Sequence, residues 1–264
     1  MTLTNGSQSL DRALDLFQRV LEDDGGNSLD DIAAAIGLPV STAYRLVSRF
    51  RARGLLVKVA KGRYRAGTAL LDLTHRLDHA SLLTQISRPA LRHLARTTAR
   101  TAHLGVLDAD MVTYLVKEKG GRQDILTRET LQLEAYCSAI GKVLLAAMDR
   151  SRLDDYLLSG QFVPLTPKTI TAPEQLRAHL LEVRDRGFAI DDQEVIEGLF
   201  CVAVPVRHRD GRIIAAVSSS GTGAREDISM PALLDALRSC AGDIESRLQG
   251  AVGPRTLRPS HTTG

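Results

Sequence analysis

The stretch SLDDIAAAIGLPVSTAYRLVSRFRARGLLVKVAKGRYRA, residues 28–66, decides how the first quarter of the chain folds. Ser28 followed by Asp31 forms a capping-box pattern ahead of IAAAIG, which predicts a short helix ending near Ile36. Gly37-Leu38-Pro39 is a turn, because Gly takes left-handed backbone and Pro39 cannot continue the preceding helix. A second helix, STAYRLVSRFRAR, is expected to open at Ser41 or Thr42 and to stop at Gly54. Two short helices joined through a Gly-containing turn make the helix-turn-helix layout. On the second of them Ala43, Leu46, Val47 and Phe50 share one face, while Ser41, Thr42, Tyr44, Arg45, Ser48 and Arg49 share the other. A helix that enters the DNA major groove needs such a polar face in its first turns. After Gly54, LLVKVAKGRYRAG alternates apolar and basic residues around Lys61-Gly62, which predicts a β-hairpin. A basic hairpin behind a recognition helix is a wing that contacts phosphate.

Charge agrees with that assignment. From Ser41 to Arg65 there are eight basic residues and no acidic one, whereas Glu22, Asp23, Asp24, Asp30 and Asp31 lie just upstream. A one-sign block of this kind fits a polyanionic partner, although a net charge of +3 alone decides little. Aromatic residues are 4% with no Trp, so stacking on unpaired bases is a poor candidate for the contact. No apolar run reaches the roughly 18–20 residues of a membrane span, and no signal peptide is visible, so a cytoplasmic location is expected. Cys137, Cys201 and Cys240 are far apart and form no CxxC pair, which supports neither a zinc ribbon nor a disulfide framework.

Outward from this core, Leu10–Leu21 carries an apolar stripe through Leu10, Ala13, Leu14, Phe17, Val20 and Leu21, and predicts a helix capped by Ser9. Residues 68–83 keep a helical period and read as a linker helix. His75 and His79 lie four apart on it, but without an HExxH pattern or a third ligand they read as a solvated or dimer-contact pair. A helix near SRPALRHLARTT follows, then strands at AHLGVLD and MVTYLVKE. Ser138 caps a helix in SAIGKVLLAAM whose free N–H groups can cradle an anion. A helix from Pro173 to Arg186 closed by Gly187, strands at FAIDD, CVAVPVRH and IIAAVSSSG with an Asp210-Gly211 turn, and a last helix at MPALLDALRSCAGDIESRL complete the pattern. Mixed helices around a mostly antiparallel sheet indicate an α+β domain. The expected division is residues 1–67 (winged helix-turn-helix), 68–83 (linker helix), 84–250 (sensing and oligomerisation) and 251–264 (a disordered Pro/Gly/Thr tail). No Walker A loop, dinucleotide fingerprint or nucleophile elbow is present, and no cofactor or metal is expected.

Taken together, SLDRALDLF, DDIAAAIGLPVSTAYRLVSRFRARGLL, GRYRAG, AHLGVLD, SAIGKVLLA, LTPKTIT, RGFAIDDQEVIEGLFCVAVPV and GRIIAAVSSSG resemble the IclR family of bacterial transcriptional regulators. The resemblance runs from about Ser9 to Leu248. It implies a winged helix joined by a helix to a sensor domain related to the GAF fold, and homodimers or homotetramers on a palindromic operator. It also implies an effector pocket lined here by Ala139 and Ile140, Asp191 and Cys201, and Ser218 and Ser220, holding a small organic, aromatic or sugar acid. Ile140 is bulkier than the residues usual at that position and is expected to narrow the cavity.

The residues themselves agree in part. Ser218 and Ser220 alternate so that both hydroxyls share a strand face. A buried Asp191 carboxylate repels an acid, so it must accept a hydroxyl proton, pair with Arg or be protonated. For DNA, Ser41, Thr42, Tyr44 and Arg45 are expected in the groove, with Arg49, Lys61, Arg63 and Arg65 on phosphate. The expected function is an effector-controlled, DNA-binding transcription regulator rather than an enzyme. One alternative is a constitutive DNA-binding protein whose second half only oligomerises. The other is thiol chemistry at Cys201, which lacks an identifiable base because His208 is at the far end of its strand.

Overall fold

The computed structural model describes residues 5–75, 79–121, 125, 127–222 and 229–249. Within it the chain divides between residues 78 and 79 into two compact units. The expectation for residues 251–264 lies outside the described residues.

In the first unit α1 (Asn5–Asp23), α2 (Leu29–Ala35) and α3 (Val40–Ala52) precede a hairpin of β1 (Leu56–Ala60) and β2 (Arg63–Ala66), and α4 (Thr68–His75) follows. The Ser28 hydroxyl accepts from the Asp31 N–H, and the Asp31 carboxylate accepts from the Ser28 N–H, so the capping box is formed. Gly37 turns the chain at φ +65°, and α3 starts at Val40 on an extended Pro39. That start lies one residue ahead of Ser41, so Ser41 and Thr42 occupy the first turn instead of capping it. Pro39 donates no hydrogen bond, which suits a position where the N–H would be unsatisfied anyway. Helix α1 differs from expectation as well: it runs through Ser9, so Ser9 caps nothing. Its buried residues are Leu16 and Val20, while Leu10 and Leu14 are exposed. The helix-period stripe that packs on Leu29, Ala33, Ala43 and Val47 thus passes through Leu16.

The second unit is a six-stranded, wholly antiparallel sheet between two helical layers. Its elements are α5 (His79–Thr98), β3 (Thr101–Asp108), β4 (Met111–Glu118), β5 (Gln132–Glu134), α6 (Ala139–Ala146), α7 (Arg150–Ser159), α8 (Pro173–Arg186), β6 (Ala189–Asp192), β7 (Leu199–Arg207), β8 (Ile213–Thr222) and α9 (Met230–Leu248). The strand order is β5-β4-β3-β8-β7-β6. Strand β7 shows why it is nearly all apolar. Phe200, Val202, Val204 and Val206 pack under α9, in one cluster with α5, and Leu199, Cys201 and Ala203 pack under α6, in one cluster with α8. A strand buried on both faces cannot alternate polar and apolar residues.

The linker helix expected over residues 68–83 falls on α4 and the start of α5. Residues 79–83 belong to α5, which continues to Thr98, and residues 76–78 lie outside the described residues. The helix expected at SRPALRHLARTT therefore begins earlier than that segment, and a proline such as Pro89 fits most readily in a first turn. Here it sits inside α5, whose Leu83, Ala90, Leu91 and Leu94 are buried against the sheet and carry the helix past the missing backbone bond. The Ser87 hydroxyl donates to the Leu83 carbonyl at 2.6 Å in the same turn.

Candidate functional site

On the first unit, α3 turns Ala43 and Val47 inward and leaves Ser41, Tyr44, Arg45, Ser48 and Arg49 exposed, with Thr42 half-buried. Lys61 and Arg63 are exposed on the hairpin, whose turn is Lys61-Gly62. Gly62 has φ +71°, a conformation that disfavours any side chain, and its carbonyl accepts from the Leu29 N–H at 2.7 Å. The wing turn is therefore anchored to the start of α2. Two residues expected on DNA are placed against the wing. The Tyr44 hydroxyl lies beside the wing turn, where a Cβ on Gly62 would fall 3.6 Å from it. Arg65 donates through Nε to Asp24 Oδ1 at 2.7 Å and through a second N–H to the other oxygen. This fork-on-carboxylate pair joins the wing to the loop after α1, so Arg65 is engaged by protein instead of standing open for phosphate.

On the second unit, the strand register brings distant residues into rows. Asp191 pairs with Cys201, Cys201 with Ser220, and Ser220 with Thr101. The next row on the same face runs Ala203, Ser218, His103 and Lys117. Directly opposed residues in an antiparallel sheet share a face, so these side chains converge under α6. Ser138 caps α6 by accepting from the Gly141 N–H at 3.1 Å. Gly141 is required by closeness: a Cβ there falls 2.1 Å from the Ala135 carbonyl oxygen. The helix start is thereby pressed against the chain that leads into it.

The result is a cavity of about 90 Å³. All six residues expected at the effector site line it: Ala139, Ile140, Asp191, Cys201, Ser218 and Ser220. Ile140 is fully buried and fills part of the space under β3, where a Cβ on Gly105 would fall 3.0 Å from its Cγ2. Sequence reasoning missed His103, Tyr114 and Thr127, which also line the cavity. The signal was present in AHLG, where one polar side chain alternates with apolar ones on a strand.

Electrostatics follow from burial. Asp191 is pushed up to about 7 by burial, against the Glu194 N–H it accepts at 2.7 Å and the nearby Lys142 ammonium. His103 is pulled down to about 3 by burial and by Lys117, so it is neutral, with Nε2 at 2.7 Å from the Thr127 hydroxyl. Lys142 is fully buried, paired with Glu194, and donates to the Ile190 carbonyl at 3.2 Å. This pair ties α6 to the connection that follows β6. Burial raises the Cys201 thiol well above its ordinary range, with Asp191 adding to the shift. A protonated buried thiol is a poor nucleophile, which removes the physical support for chemistry at Cys201. Among the described residues no group of three His, Cys, Asp or Glu side chains is placed to hold a metal. No helix among them is long and apolar enough to cross a membrane.

Comparison with known proteins agrees with both halves. Residues 9–60 match the IclR helix-turn-helix domain, and residues 74–246 match the bacterial transcriptional regulator IclR C-terminal domain. The chain is 33% identical over 222 residues to the HTH-type transcriptional regulator XynR of Escherichia coli strain K12, covering 83% of this chain and 88% of that one. The crystal structure of Thermotoga maritima IclR superimposes with a TM-score of 0.59 at 28% identity, covering 92% of this chain and 99% of that one. An IclR homolog from Microbacterium hydrocarbonoxydans, crystallised in complex with 4-hydroxybenzoate, gives a TM-score of 0.61 at 26% identity, covering 90% and 99%. The chain belongs to the IclR family of bacterial transcriptional regulators, with a DNA-binding helix-turn-helix in its first unit.

Proposed function

We propose that this regulator senses a small carboxylic acid in the cavity under α6 and that occupancy alters its affinity for a palindromic operator. The observation that carries the reading is the chemistry of the cavity wall. Ser138, Ser218 and Ser220 offer hydroxyls, the first N–H groups of α6 face an anion favourably, and Asp191 is held near neutrality, where its protonated form donates to a carboxylate. Tyr114, Leu133, Ile140 and Leu199 supply the apolar remainder. A cavity of 150 Å³ accepts the six heavy atoms of benzene, so by proportion about 90 Å³ suits a ligand body of about four heavy atoms. The relative crystallised with 4-hydroxybenzoate supports the carboxylate class.

For DNA, Ser41, Thr42 and Arg45 read bases, and Arg49, Lys61 and Arg63 contact phosphate. Tyr44, exposed on the same face, joins the base-reading group, whereas Arg65 acts mainly to hold the wing in place, given its partner Asp24. Exposed Leu10 and Leu14, one helical turn apart on α1, support assembly with a second copy, as a homodimer or homotetramer. Effector binding then acts by changing the placement of paired reading heads, whose half-site spacing geometry fixes.

A thermal-shift screen of the full chain against short carboxylic, hydroxy and aromatic acids tests the reading. At about 100 times its dissociation constant an effector adds roughly 2.7 kcal/mol of stability. No stabilisation by any acid across such a panel contradicts it.

A further inference from the structure

Arg100 immediately precedes β3, and its guanidinium lies over the backbone of Gly221 at the end of β8. A Cβ at position 221 would fall 2.8 Å from Arg100 Cζ. One of its terminal N–H groups donates to the Phe200 carbonyl at 2.7 Å. Its Nε is shut off from solvent and donates to nothing. No carboxylate pairs with it among the described residues, and burial pulls its pKa down. Among the described residues the partly buried guanidinium has only the Phe200 and Gly221 carbonyls for partners, and an anion on the side that faces the cavity completes the pairing of its charge. Arg100 lines a polar cavity of about 380 Å³ with Thr101, Gly121 and Thr222, and this cavity shares Ser220 and Ile125 with the acid pocket.

We propose that Arg100 seats a second carboxylate, so that the effector is a dicarboxylic acid spanning both cavities. One carboxylate meets the start of α6 and the serine hydroxyls; the other meets the Arg100 fork, with Ser220 between them. A single unpaired positive charge matches a carboxylate better than a phosphate dianion, and the planar fork suits carboxylate geometry. This inference rests on the acid pocket proposed above, and the experiment separates the two.

Calorimetric titration of the full chain with the linear diacids succinate through suberate, and with the monoacids butyrate through octanoate, reads the preference directly. The wild type binds the best-fitting diacid about tenfold to a hundredfold more tightly than the monoacid of equal length, the range expected for hydrogen bonds to a charged group. Arg100→Gln, which keeps a donor for the Phe200 carbonyl, loses that preference and binds the monoacid as before. Arg100→Lys keeps the charge without the fork and retains only part of the preference. Equal affinity of the wild type for diacid and monoacid overturns the inference. So does an unchanged ratio in Arg100→Gln, or a lower melting temperature of the free variant with both acids weakened alike, which marks Arg100 as a strut between β7 and β8. Silence of the wild type toward every acid in both series fails the pocket reading itself, and the inference with it.

Discussion

Asp191→Asn is expected to change how stability depends on pH, and the size of the effect follows from the fold. Burial raises the Asp191 carboxyl from 3.8 to about 7, with Lys142 opposing the shift and Glu194 adding to it. In the unfolded chain the group ionises near pH 4; in the folded chain it stays protonated until about pH 7. The folded state therefore holds the extra proton between these values. The stability this contributes is present in full below pH 4 and is lost as pH rises to 7. Each pH unit in the window is worth about 1.4 kcal/mol, so the wild type loses about 2.5 kcal/mol relative to Asp191→Asn between pH 5 and pH 8. The asparagine oxygen still accepts the Glu194 N–H, which keeps the comparison close to isosteric. The chain has no Trp, so urea unfolding followed by far-ultraviolet circular dichroism is the suitable assay. Parallel pH profiles for the two proteins refute the reasoning, because they mean that the carboxyl is already ionised in the folded protein at pH 5. The effector inherits the same titration: acid binding to the wild type weakens about tenfold per unit above pH 7, and Asp191→Asn removes that slope.

Other outcomes follow from the same geometry. Arg45→Ala weakens operator binding by about 1–3 kcal/mol and relaxes preference at one base pair, measured by fluorescence anisotropy on substituted duplexes, whereas Lys61→Ala lowers the salt slope by about one without changing base preference. Gly141→Ala drives a methyl into the Ala135 carbonyl and destabilises the second unit by more than about 2 kcal/mol in urea unfolding, with loss of acid binding. Cys201→Ser keeps the effector response within a few-fold in the thermal-shift assay, since the protonated thiol and the hydroxyl make similar contacts; loss of an acid-dependent reaction in that variant argues for thiol chemistry instead.

Much of this architecture is written locally. The capping box at Ser28, the turn at Gly37 and the two-residue turn at Lys61-Gly62 are short-range devices, so the winged helix-turn-helix reads directly from residues 28–66. Of the six expected pocket residues, Ser218 and Ser220 are legible from strand alternation, whereas Ala139, Ile140, Asp191 and Cys201 were reached only through the family resemblance. What the sequence concealed depends on tertiary pairing. Leu16 lies in the core although its neighbour Leu14 is exposed, because the packing of α1 on α2 and α3 selects the face. Helix α5 runs through Pro89 because packing against the sheet outweighs the local break. Arg65 looks like another phosphate contact until its partner Asp24, forty-one residues away, is brought beside it. His103 and the Lys142–Glu194 pair were hidden likewise, since a lone polar residue in an apolar strand or helix acquires its role only from what faces it.

The central claim is that an acid in the α6 cavity controls DNA affinity. The most direct measurement is the dissociation constant for a palindromic duplex from the region upstream of its own gene, by anisotropy, with and without saturating acid. Wild type and a Ser218→Ala/Ser220→Ala double variant are measured at the same salt. A shift of fivefold or more in the wild type, about 1 kcal/mol of coupling, that vanishes in the variant is the predicted result. An acid that binds the wild type yet leaves its DNA affinity unchanged contradicts the account.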